Sequence, residues 1–435
     1  MPTSLQAIAT KAKENKQHRF LNLYRLIDEQ HLHQSWLFIR QNAAYGVDRI
    51  SAKQYEEKLD DNIRNLVDKL KRKSYRARLV RRHWIPKTDG RMRPLGIPVV
   101  EDKLLQLAVK RILEAIYEQD FLRCSYGYRR KTGALDAVDK LTVKLQFGRY
   151  NFVVEADIEA FFDRIDHDRL IEMLSLRIAD KQLLRLIKKW LKAGVLETDD
   201  TVTHPEAGSP QGGVISPILA NVYLHYTLDQ WFHEVVKAHC RGEACLIRYA
   251  DDFVCGFEHE QDAERFHKAL GLRLEKYGLQ LAAAKTRIMR FCRSDEPGST
   301  RFDFLGFEFY WGTDRKGERR VQRRTSRKKF QNSLANFTQW CRRSRHIPVR
   351  ELFPLLKPKL RGYYNYYGVR GNSDSLREFF NRSMEILRKW LNRRSQRRSF
   401  TRQGFDDLLN YFKVPRPRLF VRRPRIPVRA AVSFC

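Results

Sequence analysis

The stretch CLIRYADDFVCGF, residues 245–257, limits the possible folds more tightly than any other part of the chain. Cys245, Leu246, Ile247 and Tyr249 lead into it, and Phe253, Val254, Cys255 and Phe257 lead out. Two short β-prone runs around a polar pair read as a hairpin, or as one strand interrupted at its functional end. Between them stand Asp251 and Asp252. Adjacent carboxylates repel, and burying them unpaired is costly. A fold that buries the flanks must therefore bring counter-charge to the pair.

The remaining composition leaves room for such a fold. With 435 residues, 42% hydrophobic and 12% aromatic, the chain can build two to four cored domains. No apolar run approaches the eighteen or so residues of a membrane span, and MPTSLQAIATKAKENKQHRF lacks the apolar block of a secretory signal. An intracellular protein without a membrane partner is expected. The seven cysteines form no C-x-x-C pair, so neither a disulfide framework nor a zinc knuckle is indicated. Charge points to the partner. The net charge is +33, and Gly312–Cys435 holds 33 Lys and Arg against 8 Asp and Glu. Such an excess repels itself without a polyanion, and nucleic acid is the natural one.

Along the chain, residues 1–80 read as amphipathic helices, with Leu59, Ile63, Leu66 and Leu70 at helical spacing. RRHWIPKTDGRMRPLGIPVV reads as two extended runs joined by a turn around Asp-Gly. Leu105, Val109, Ile112 and Ile116 share one face of the following helix. Phe152–Ile158 reads as a buried strand with Asp157 near its end. EAGSPQGGVISPILANVYLHYTLDQWF is a Gly/Pro loop entering an apolar helix, and another helix covers about 261–277. YGLQLAAAKTRIMRF and RFDFLGFEFYW look strand-like. GTDRKGERRVQRRTSRKKF reads as a basic linker before a helical C-terminal segment.

Joining nucleotides is an in-line attack on an α-phosphate with pyrophosphate leaving. Two divalent cations about 4 Å apart stabilise the attacking and leaving oxygens, held by a few carboxylates and the substrate phosphates. Asp157, Asp251 and Asp252 offer the carboxylates, and bound cations would reverse their repulsion. Lys87 and Arg93 on the Asp-Gly hairpin offer charge for a triphosphate. SPQGGVISP, residues 209–217, offers glycines for close backbone approach and Gln211 as a neutral hydrogen-bonding group. Taken singly, an Asp-Asp turn, a Gly-Gly loop, two surface cations or the core-like Phe161 and Phe162 would mean little. Their joint order carries the reading.

That order resembles the reverse transcriptases encoded by bacterial group II introns. The likeness rests on EADIEAFFDRIDHDRL, SPQGGVISPILANVYLHYTLD and YADD. It also rests on IPKTDGRMRPLGIPVVEDKLLQ, CSYGYRRKTGALDAV, YGLQLAAAKTRIM and FDFLGFEF, in the same order from about residue 20 to 420. The resemblance implies an α+β right-hand polymerase with an N-terminal helical extension (1–80), fingers (81–148), palm (149–311), thumb or domain X (312–420) and a basic tail (421–435). It implies that Asp157, Asp251, Asp252 and the backbone carbonyl of Ile158 hold two Mg²⁺ ions, with Mn²⁺ as an alternative. Lys87 and Arg93 would contact the incoming triphosphate, Gln211 the nucleotide or template, and Lys285 would lie near the leaving pyrophosphate. Phe162 would stack under the sugar and exclude a 2′-OH, with Phe161 as the fallback. The implied partners are intron RNA, an RNA template with a DNA or RNA primer, dNTPs and a DNA target site. The implied setting is the bacterial cytoplasm and its nucleoid, as a monomer or a dimer.

RRTSRKKFQNSLANF, LKPKLRGYYNYYGVRGN and the segment around LRKWLNRRSQRRSF resemble that family's maturase domain. Arg323, Arg324, Arg327, Lys328, Lys329, Arg361, Arg393, Arg394, Arg397 and Arg398 are its RNA-binding candidates, interleaved with aromatics that can stack on bases. Tyr363, Tyr364, Tyr366 and Tyr367 stand open between helix core and RNA contact. Two departures from the family pattern stand out: Glu159-Ala160 where many relatives have Lys-Gly, and AAYGVDRI in place of Ala-Pro-Gly-Val-Asp-Gly. No Cys- and His-rich endonuclease module follows domain X, so any mobility is expected to find its primer elsewhere, such as at a replication fork. Two rival readings stand beside this one. One is a domesticated relative in DNA repair, phage defence or CRISPR adaptation. The other is an RNA-binding splicing factor with an inert polymerase core.

Overall fold

In the computed structural model, residues 4–419 are described, apart from 87–89, 91, 205–206, 209–211, 315 and 395–399. Lys87, Gln211, Arg397, Arg398 and the basic tail therefore lie outside the described residues. Contacts divide the chain into two compact units, Met1–Cys292 and Arg293–Cys435.

In the first unit the strands are β1 (Val80–Pro86), β2 (Met92–Ile97), β3 (Phe152–Ala156), β4 (Val195–Leu196), β5 (Val202–Thr203), β6 (Ala244–Tyr249), β7 (Asp252–Phe257) and β8 (Arg287–Arg290). One sheet has the order β2-β1-β4-β5 and the other β6-β7-β3-β8. The expected Asp-Gly hairpin is present as antiparallel β1 and β2, in register from Arg81↔Ile97 to Pro86↔Met92. The second sheet is antiparallel throughout. Its middle strands bury Val153, Val154, Phe253, Val254 and Cys255, and such residues suit a strand covered on both faces.

Helices cover these sheets. Leu59–Lys71 buries Ile63, Leu66 and Leu70 of the expected stripe together with Val67, while Leu59 is half-buried. Ser51 and Gln54 close a capping box at the helix before it. Val100–Tyr117 is buried on nearly every side, so its sequence periodicity understates its centrality. Ile8, Leu32 and Ile63 share one hydrophobic core with Leu104, Val154 and Phe253. The expected N-terminal extension is thus built into the core of the first unit. Arg177 fastens it, pairing with Asp120 and donating to the backbone carbonyls of Ala12, Asn15, Lys16 and His18.

The second unit holds β9 (Arg301–Phe304), β10 (Phe307–Thr313) and β11 (Arg319–Thr325), antiparallel in the order β11-β10-β9. Helices Arg327–Ser344, Val349–Tyr367, Ser373–Leu391 and Arg402–Tyr411 follow and pack around Phe337, Phe353, Leu360, Phe379 and Leu387. The division by contacts falls at Cys292/Arg293, so β9 and β10 group with this unit. One expectation is corrected. The basic linker is largely β11 and the start of a helix. In β11 Val321, Arg323 and Thr325 are buried in alternation, and arginine stems can cover apolar surface while the heads find partners. Among the described residues, no helix is long and apolar enough to cross a membrane.

Candidate active site

β6 ends at Tyr249 and β7 begins at Asp252, so Ala250 and Asp251 alone form the turn, with Tyr249 paired to Asp252 across it. Ala250 lies in the left-handed region at φ 57°. On its other side β7 pairs with β3, with Ala156 opposite Phe253. Asp157 follows Ala156 directly, so the end of β3 and the hairpin tip bring the three expected carboxylates to one edge of the sheet. Past β3, Ala282 N–H donates to Asp157 O at 2.8 Å and Glu159 N–H to Gln280 O at 2.9 Å. These bonds flank the bridge Ile158↔Leu281 without using the carbonyl of Ile158.

The carboxylates feel one another. Burial pushes Asp252 up to about 7, helped by the charges of Asp251, Asp157 and Glu155 and opposed by Lys285. Asp251 is also raised, by burial first and by Asp157, while Arg93 and Arg248 pull it down. Lys285 Nζ is ion-paired with the Asp157 carboxylate. Among the described residues no three His, Cys, Asp or Glu side chains converge as a ready metal cage. The donor set nevertheless fits a hard divalent cation: oxygen ligands only, mutually repelling, one already holding an ammonium.

Arg93, exposed on β2, lies within electrostatic reach of Asp251 and Tyr128. The two phenylalanines differ. Phe161 is buried and packs towards Tyr223, whereas Phe162 is half-buried and meets Phe161 edge to face. In the Gly/Pro loop Gly212 has φ +113°, and a Cβ there would lie 2.8 Å from Gly96 O on β2. The close approach it permits here is to the protein backbone of β2.

The maturase candidates sort by exposure. Arg327, Lys328, Lys329, Arg361 and Arg393 are exposed. Arg323 is buried, Arg324 is ion-paired with Glu308, and Arg394 donates to Ile347 O at 2.9 Å. The tyrosines are largely packed: Tyr364 is buried, Tyr363 stacks on Phe379, and Tyr366 and Tyr367 lie against Phe307.

Sequence reading missed what lies directly behind the hairpin tip. Arg248 and Asp229 form a fully buried ion pair, each side chain 0% exposed. The available signal was a lone arginine inside an apolar strand, which must find a partner when buried. Gly127 also went unread; a Cβ there would lie 2.3 Å from Ala250 N.

A family model described as "Reverse transcriptase (RNA-dependent DNA polymerase)" matches residues 85–309, and one described as "Group II intron, maturase-specific domain" matches residues 327–407. The chain is 38% identical over 226 residues to the group II intron-encoded protein LtrA of Lactococcus lactis subsp. cremoris, covering 51% of this chain and 37% of that protein. It thus spans little more than a third of that relative's length. It is 32% identical over 327 residues to Protein YkfC of Escherichia coli (strain K12), covering 67% of this chain and 83% of that protein. A telomerase from Candida albicans, solved with a telomeric RNA fragment, has TM-score 0.46 and 13% identity over 84% of this chain and 69% of that chain, too distant to carry an argument.

Proposed function

The chain belongs to the reverse transcriptases of the group II intron-encoded kind, and on that premise we propose that it copies RNA into DNA and binds intron RNA as a maturase. The observation that carries the polymerase reading is the junction of β3 with the β6–β7 hairpin, which gathers Asp157, Asp251 and Asp252 at one sheet edge.

In this reading Asp157, Asp251, Asp252 and the Ile158 carbonyl would hold the metal, with Asp252, paired to Tyr249 at the start of β7, as the lesser ligand. Two Mg²⁺ ions, for which Mn²⁺ can substitute, supply stabilisation of charge on the attacking and leaving oxygens when bound. Arg93 and Lys87 orient the triphosphate of the incoming dNTP, and Gln211 contacts the nucleotide or the template. Phe162 packs under the sugar, where a 2′-OH would clash, which selects deoxynucleotides. Lys285 is released from Asp157 and gives a proton to the departing pyrophosphate.

Intron RNA, a primed RNA template and a DNA target site are the proposed partners, met in the bacterial cytoplasm. The maturase reading is supported by the start of the helix Arg327–Ser344. Its first turn carries Arg327, Lys328 and Lys329 and no acid. Cations oppose the helix dipole there, so an anionic partner relieves them.

The test is primer extension on an RNA template with purified protein. Asp251→Ala should abolish synthesis and leave RNA binding intact. Full synthesis by that variant would remove the triad from the mechanism, and no synthesis by the wild type would favour the inert splicing factor.

A further inference from the structure

Arg248 sits on β6, two residues before the turn, in a shell made wholly of protein. Its Nε donates to Asp229 Oδ1 at 2.7 Å and its Nη2 to Asp229 Oδ2 at 2.5 Å, a two-pronged pair. Nη2 also donates to Ser125 Oγ at 2.8 Å. Nη1 donates to Asn221 Oδ1 at 3.1 Å and to the carbonyl of Ala250 at 2.8 Å. Ala250 is the left-handed residue of the turn, next to Asp251. The guanidinium therefore grips the backbone of the tip from behind, while its other donors are fixed to three separate places in the unit.

Those places form one seat. The main chain of Arg248 bonds to the Ser125 segment through Arg248 N–H to Cys124 O at 2.8 Å and Tyr126 N–H to Arg248 O at 2.9 Å. Asn221 Nδ2 donates to Gly127 O at 2.7 Å. Gly127 in turn abuts Ala250 so closely that only glycine fits. Asn221 and Asp229 lie on the same long helical run, in which His225–Asp229 is a wide π-turn. Eight residues of regular α-helix would leave the two side chains about 80° apart around the axis. The extra residue of a π-turn makes that separation behave as seven, about 20° from a shared face. The wide turn thus aims both side chains at one guanidinium.

We propose that Arg248 is a positioning residue for synthesis: with Asp229, Asn221 and the π-turn it fixes the Ala250–Asp251 turn, and so the aspartate pair, against the body of the unit. The proposal rests on the polymerase reading above. Buried ion pairs are weak evidence for stability, since apolar replacements of both partners are often tolerated. Positioning is a different matter, because small displacements of reacting groups cost about a hundredfold in rate.

The test compares wild type, Arg248→Lys and the double variant Arg248→Met/Asp229→Leu in the full-length protein. The measurements are melting temperature, single-nucleotide incorporation at varied dNTP, and hydrogen exchange of the peptide spanning 245–257. The double variant should fold and bind RNA, yet its kcat should fall by about a hundredfold with KM for dNTP within threefold. Exchange at the tip should quicken. Arg248→Lys keeps the charge and loses the fork, so it should fall between the two. If the double variant unfolds, Arg248→Lys decides alone. A folded variant with wild-type kcat and wild-type exchange overturns the proposal, as does a loss shared equally by RNA binding and synthesis. Absence of synthesis by the wild type would instead overturn the reading on which the proposal rests.

Discussion

The ammonium of Lys285 is ion-paired with the carboxylate of Asp157, joining the short turn Ala283–Lys285 to the end of β3. It is one cation beside a cluster whose carboxylates raise one another's proton affinity. On the proposed metal site, a divalent cation and this ammonium would compete for the same carboxylate. Lys285→Gln should therefore lower the melting temperature in a chelator, though only slightly, because the lysine is largely exposed and such pairs contribute about 0–1 kcal/mol. Adding Mg²⁺ should raise the melting temperature more in Lys285→Gln than in the wild type, since binding to the folded state alone stabilises it. Equal rises would mean that the cation does not meet Asp157.

Ala160 follows Glu159 and adopts the left-handed conformation, φ 46°, ψ 41°. A left-handed non-glycine residue costs about 1–2 kcal/mol, while glycine adds about 0.5–1 kcal/mol of backbone entropy to the unfolded chain. Ala160→Gly should raise stability by about 0.5–1 kcal/mol and leave synthesis unchanged. Urea denaturation of the two proteins measures it, and a destabilised Ala160→Gly would show that the side chain earns its place through packing.

Legibility followed pattern strength. Val153, Val154 and Phe253 announce covered strands by composition, and Asp157 with Asp251 and Asp252 stood out through their order among flanking motifs. β11 stayed hidden because its buried positions Val321, Arg323 and Thr325 alternate with Arg and Gln, so no apolar period shows. Arg248 looked like one more cation among 84 Lys and Arg, and its partner Asp229 sits in a π-turn that no residue spacing advertises. Sequence preferred Phe162 over Phe161 by position, and only the structure shows that the two differ in burial.

His225, in that π-turn, is buried against Phe121 and Tyr226, and neither ring nitrogen has a hydrogen-bond partner among the described residues. Burial holds its pKa down to about 4; Asp229 raises it, while Arg248, Arg129 and Lys16 lower it further. The unfolded chain then binds the proton more tightly than the folded one. The resulting stability is complete above pH 6.5 and is lost as pH falls towards 4, at most about 3 kcal/mol. Asp102, raised by burial to about 6, acts oppositely, and its contribution is lost as pH rises through 6. The difference between wild type and His225→Phe isolates the histidine. Between pH 6.5 and 4.5 the wild type should lose more melting temperature than the variant, and parallel curves would remove His225 from acid sensitivity.

The maturase unit offers two kinds of cation, and salt separates them. Arg327, Lys328 and Lys329 are exposed at one helix start, whereas Arg323 is buried in β11. Each phosphate contact contributes about 0.7–0.9 to the slope of log affinity against log salt. Replacing the three exposed cations by Gln should therefore flatten the slope for RNA by roughly 2 and leave melting unchanged. Arg323→Gln should do the reverse, lowering melting temperature with little change in slope, because its guanidinium is enclosed by protein. Affinity measured from low to moderate salt, beside a melting curve for each variant, distinguishes them. A slope that drops for Arg323→Gln and holds for the triple variant would move the RNA contact off the helix start and onto β11.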